Sequence, residues 1–141
     1  MLPGIIALDH RIGPASFAEP EPQVATLGPG VNARLDGHRL RFYSRVGIYV
    51  DYFFLPKRKK AYADFVITRS ARYKTRSGVG VGSTLWQLRH RVKVTCKDGS
   101  PVLRPDQCQH EKANINLPFT VFNIDPKTKR VTQVAIVPGG D

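Results

Sequence analysis

Long apolar runs, acidic residues, clustered histidine and cysteine are all scarce in this chain, and each scarcity excludes something. No apolar stretch approaches the ~20 residues that a membrane-spanning helix needs. The longest candidates, Ile48 to Leu55 and Val131 to Val137, are interrupted by Asp51 and by Thr132 and Gln133, and they read as strands. Asp and Glu together number 11 against 22 Lys and Arg. With so few carboxylates and no convergent pair, the acid–base machinery of an enzyme is hard to assemble, and no catalytic residue is expected. Asp51 and Asp64 fall on neighbouring predicted strands, but Asp64 stands near many cations, and salt bridging to Lys or Arg is its expected role. His10, His38, His90 and His110 are scattered. None pairs at metal-site spacing with another His, Cys or carboxylate, so neither a metal nor any other cofactor is expected. Ser83 and Ser100 lack the strand–turn–helix context of an activated nucleophile.

Cysteine occurs twice, at Cys96 and Cys108, around a segment holding Gly99, Pro101 and Pro105. The spacing fits no common zinc pattern. Two readings stand: a disulfide closing the loop, or two separate buried thiols. A loop of that size, if closed, stabilises the fold by about 3 kcal/mol in the chain-entropy model. A disulfide places the chain outside a reducing cytosol, as a secreted or cell-envelope protein. Met1-Leu2-Pro3-Gly4 shows no basic start and no long apolar stretch, so no signal peptide is read; the cysteines favour a mature form carrying an added Met1.

What the chain has in excess is positive charge: net +11, with a pI near 10.1. Spread along the chain, such charge gives solubility and a general attraction to acidic polymers. Its densest run, Lys57-Arg58-Lys59-Lys60, sits where a hairpin tip belongs.

That run belongs to an internal repeat. Leu55-Pro56-Lys57-Arg58-Lys59-Lys60-Ala61, then Tyr62, Phe65 and Ile67, parallels Asp125-Pro126-Lys127-Thr128-Lys129-Arg130, then Val131, Val134 and Ile136. The offset is 70 positions before the turn and 69 after it. Repetition of this kind constrains architecture before it constrains activity. Strands are expected over 38–44, 47–55 and 61–68, with further strands at 93–96, 119–124 and 131–137. Ser83 to Val92 reads as a helix capped by Ser83, with Leu85, Leu88 and Val92 on one face. A shorter helical segment over 17–27, stopped by Gly28-Pro29-Gly30, aligns with it. Gly78-Val79-Gly80-Val81-Gly82 before the second helix invites comparison with a phosphate loop. It lacks the Lys-Ser/Thr ending and the dinucleotide spacing, and reads as a tight approach to a helix packed close to a sheet.

The expected fold class is therefore α+β: two tandem helix-plus-three-strand repeats forming one continuous antiparallel sheet with the helices on one face. The first unit spans 1–70, and the second, with the Cys loop, spans 71–141; together they make one compact domain. Ile12-Gly13 … Val24 … Leu27-Gly28 and Gly80-Val81-Gly82-Ser83 … Leu88 carry a resemblance. The pattern resembles the tandem units of the β-lactamase-inhibitor-protein-like class and the related unit of the small outer-membrane assembly lipoproteins of the BamE type. The connector Arg72-Tyr73-Lys74-Thr75 … Gly82-Ser83 is similar to a segment of uncharacterised secreted bacterial proteins of this class. The resemblance implies a non-catalytic, secreted or envelope-associated protein-binding module, of which enzyme inhibition is one form.

The expected partner surface is the sheet face away from the helices, where Tyr49, Phe53, Phe119 and Val121 are placed beside arginines. The alternative is a module for nucleic acid or acidic polysaccharide that uses the hairpin tips: Lys57, Arg58, Lys59 and Lys60 on one, Lys127, Lys129 and Arg130 on the other. A monomer that binds an unidentified protein or acidic polymer is expected on either reading.

Overall fold

A computed structural model describes residues 4–18, 27–35, 37–55, 60–96, 106–111 and 117–139, and these are mostly strand. Three two-residue strands, β1 (Ile6–Ala7), β2 (Arg11–Ile12) and β3 (Ala15–Ser16), form a small sheet in the order β1-β2-β3. The main sheet has eight strands: β4 (Val31–Leu35), β5 (His38–Tyr43), β6 (Ile48–Leu55), β7 (Lys60–Thr68), β8 (Val94–Cys96), β9 (Gln107–His110), β10 (Phe119–Ile124) and β11 (Val131–Val137). Their order is β4-β5-β6-β7-β11-β10-β9-β8, with every neighbour antiparallel.

This corrects the expected tandem of helix-plus-three-strand units. The described residues hold one complete helix, α1 (Leu85–Arg91), of seven residues. Each half supplies four strands to the large sheet, because β4 and β9 join the strands expected from the sequence. Where the first helix was expected, Phe17 and Ala18 form a turn that closes the small sheet; residues 19–26 lie outside the described residues. Gly13 takes a left-handed φ of 52° at the turn between β2 and β3, a conformation that glycine adopts without strain. The helix begins one residue later than predicted. Thr84, not Ser83, is its N-cap, in a reciprocal box with Gln87. Ser83 instead accepts the Gly80 N–H.

The halves meet where β7 pairs with β11. Val66 faces Ile136 and Ile67 faces Ala135. Positions made equivalent by the offset of 69 therefore exchange places across this seam. One face of the sheet is covered by the small sheet, the 73–83 segment and α1. Ile6, Ile12, Leu27, Val79 and Leu88 pack there against Ile48, Val50, Val66, Phe122, Val134 and Ile136. The glycine-rich approach to α1 is required by contact: a Cβ on Gly80 would lie 2.1 Å from the Tyr73 carbonyl oxygen.

The small sheet is fastened by Asp9. Its carboxylate accepts hydrogen bonds from the Thr120 N–H (2.8 Å) and the Thr120 hydroxyl (2.9 Å), and lies 2.8 Å from His110 Nδ1. Cys96 and Cys108, directly opposite on β8 and β9, are joined in a disulfide. A bond of this kind fits an oxidising compartment.

Candidate surface on the open face of the sheet

Strand alternation sends every second side chain to the face opposite the core. The registers align a transverse row across all eight strands: Val31, Phe42, Tyr49, Ile67, Ala135, Val121, Gln109 and Thr95. Phe42 and Tyr49 stand with ring centroids 4.5 Å apart. Leu35, Leu40, Ile67 and Ala135 form a second buried cluster on this face, with Tyr49, Phe65 and Val137 against it. Leu35 of β4 and Gln107 of β9 line one hollow although five strands stand between theirs in the sheet, so the sheet curls. The curl makes a hollow of about 430 Å³, with Leu35, Leu40, Phe65, Ile67, Val121 and Val137 among its walls. Gln107, Asn123 and Gln133 make a polar end, where the Gln107 amide donates to Asn123 Oδ1 at 3.1 Å.

The four residues expected to form a partner surface are dispersed over this face. Val121 lines the hollow and is buried. Tyr49 stands in the row beside it, and Phe119 faces Val137 at the rim. Phe53 lies apart, opposite Tyr62 beyond an irregularity in the β6–β7 ladder, and is 57% exposed. Sequence reasoning placed β5 but missed β4 beside it. The alternation of Val31-Asn32-Ala33-Arg34-Leu35 followed by Asp36-Gly37 is a hairpin signature that would have supplied it.

That irregularity also reshapes the two carboxylates. Asp51 pairs with Phe65 and Tyr52 with Ala63, which leaves Asp64 without an opposite residue. One Asp64 oxygen is buried and has no hydrogen-bond partner among the described residues, in place of the expected salt bridge. Burial, and after it the negative charge of Asp51, push its carboxyl up to about 6. Asp51 itself lines the hollow.

Of the basic hairpin tips, Lys57, Arg58 and Lys59 lie outside the described residues, and the backbone of Lys60 begins β7. Lys127, Lys129 and Arg130 are exposed on the β10–β11 turn. Asp125 shapes that turn: the N–H groups of Thr128 and Lys127 hold its carboxyl below the usual range. The Arg130 guanidinium is committed to the Gly82 carbonyl at 2.8 Å. Trp86, on the outer side of α1, is 64% exposed and stacks on the His90 ring at 4.0 Å. Its place off the Leu85–Leu88–Val92 stripe already pointed outward. Among the described residues no group of three His, Cys, Asp or Glu side chains is placed to hold a metal ion, and no helix is long and apolar enough to cross a membrane. No protein-family model, curated protein or solved structure matches this chain.

Proposed function

We propose that this chain is a non-catalytic binding module, secreted or held at the cell envelope, that engages another protein across the open face of its large sheet. The observation that carries the reading is the curled apolar hollow bounded by Leu35, Leu40, Ile67 and Val121, with a polar end at Gln107, Asn123 and Gln133. An apolar centre with a hydrogen-bonding margin is the usual anatomy of a protein interface. Compartment is supported by the disulfide between Cys96 and Cys108.

The test is retention of a partner from extracellular fluid by the immobilised protein, compared with Val121→Lys and Phe65→Glu variants whose folding is verified by circular dichroism. The reading expects a partner that survives moderate salt and is lost in both variants. Retention only of nucleic acid or acidic polysaccharide, eluted by salt and abolished by neutralising Lys127 and Lys129, would replace it with the polyanion reading.

A further inference from the structure

Strand β4 ends the large sheet, and its free edge adjoins two surfaces of different chemistry. Its partner pairs are Leu35 with His38, Arg34 with Arg39, Ala33 with Leu40, Asn32 with Arg41 and Val31 with Phe42. Two residues connect the strands, so Leu35 and His38 are the hydrogen-bonded closing pair, and the pairs alternate from there. Ala33 and Val31 therefore bond to β5. Asn32 and Arg34 direct their N–H and C=O groups away from it. Among the described residues no other backbone hydrogen bond takes up those groups.

The side chains divide likewise. Ala33 and Leu35 belong to the open face, and Leu35 is part of the hollow. Arg34 projects to the other face, where it meets Arg39 directly across the ladder, with Arg41 two pairs further on. Arg41 Nη1 donates to Asn32 Oδ1 at 3.2 Å. These side chains, with Tyr52 and Asp51, line a cleft of about 550 Å³. None of the three guanidinium groups has a carboxylate partner among the described residues. Like charges directly opposite on a sheet repel, so the arrangement favours whatever brings negative charge to it.

We infer that the β4 edge accepts an added strand from a partner protein: an extended segment alternating acidic and apolar side chains. Its backbone would take up the outward groups of Asn32 and Arg34, as in strand addition to an open sheet. Its carboxylates would face Arg34, Arg39 and Arg41, and its apolar residues would continue the surface of Ala33 and Leu35. A second copy of this chain does not meet that description, because it brings Arg34 to Arg34 and a net charge of +11 to a surface already positive. The inference deepens the open-face reading and rests on it for the existence of a protein partner.

The probe is a blocked eight-residue peptide alternating Glu and Val. It is compared with the same peptide N-methylated at alternate residues and with a Lys/Val version. Binding is followed by fluorescence anisotropy, and amide exchange is read at Asn32 and Arg34. Asn32→Pro is the informative variant, because the N–H it removes points away from β5 and the hairpin is kept. The Glu/Val peptide is expected to bind and to slow exchange at those two amides. N-methylation or Asn32→Pro should each weaken it by about tenfold or more, as expected for losing one or two backbone hydrogen bonds and adding a steric block. The Lys/Val peptide should not bind. Equal binding of the methylated peptide, or indifference to Asn32→Pro, would overturn the inference in favour of charge alone. Concentration-dependent dimerisation that protects the same amides would overturn it in favour of self-pairing. Phe65→Glu separates the two proposals: loss of the natural partner with the probe still bound supports both, retention of the natural partner with the probe still bound overturns the hollow and leaves the edge, and failure of the probe to bind the unsubstituted protein overturns the edge alone.

Discussion

Replacing Asp64 with Asn should stabilise the protein near neutral pH and do nothing at acid pH. The carboxyl sits at the β6–β7 irregularity with one oxygen buried and unpartnered, and its pKa is raised from 3.8 to about 6. Because the folded value exceeds the unfolded one, the native state holds the proton more tightly. Stability therefore falls as pH rises through the interval between them. The penalty is absent below the unfolded pKa and complete above the folded one. A shift of some two units corresponds to about 3 kcal/mol if taken whole. The side chain is only half-buried, and water screens both its desolvation and its repulsion from Asp51, so about 1 kcal/mol is the figure to expect. Urea unfolding of both proteins at matched ionic strength, from about pH 3.5 to about pH 7.5, measures it, provided the slope with denaturant is unchanged. A gain for Asp64→Asn that grows with pH supports the assignment. A gain independent of pH would locate the effect in packing, and a loss near pH 7 would refute the argument outright.

Three further outcomes follow from contacts described above. Reducing the Cys96–Cys108 disulfide should lower stability by about 3 kcal/mol, seen as a drop in the urea midpoint on adding reductant. Asp9→Ala should cost about 2–4 kcal/mol, because the Thr120 N–H and hydroxyl would be left buried without an acceptor. Hydrogen exchange should then show the small sheet opening before the large one. Gly80→Ala should lower the melting temperature sharply, at about 2–4 kcal/mol, since the Tyr73 backbone would have to move to admit a methyl group.

Sequence periodicity located the strands that form hairpins with obvious turns. Ile48–Leu55 with Lys60–Thr68, and Phe119–Ile124 with Val131–Val137, fall close to where alternation and the Pro-Lys turns placed them. It failed where the signal is composed of short pieces. β9 has four residues, Gln107 to His110, three of them polar, and nothing in them announces a strand; its position follows from pairing to β10 and from the bond to Cys96. The strands at residues 6–16 are shorter than any window in which period can be judged. Of the helical segment expected over 17–27, Phe17 and Ala18 form a turn instead, Leu27 is helical, and residues 19–26, with Pro20 and Pro22, lie outside the described residues. The open face was legible as aromatic positions, but its curl was not. The hollow draws side chains from β4 through to β9, and which strands lie beside one another is a property of pairing rather than of any one segment.

The β7–β11 seam carries a consequence for biogenesis. β7 is synthesised long before β11, yet β11 is the neighbour that completes it. A nascent chain holding β4 to β7 presents a nine-residue strand bare along one side, with Val66 and Ile67 on it, until residues 131–137 emerge from the ribosome or the export channel. During that delay the unfinished ribbon is competent to capture a foreign strand or another unfinished copy. Holdase chaperones should therefore bind stalled chains that end before β11 and release those that extend past it.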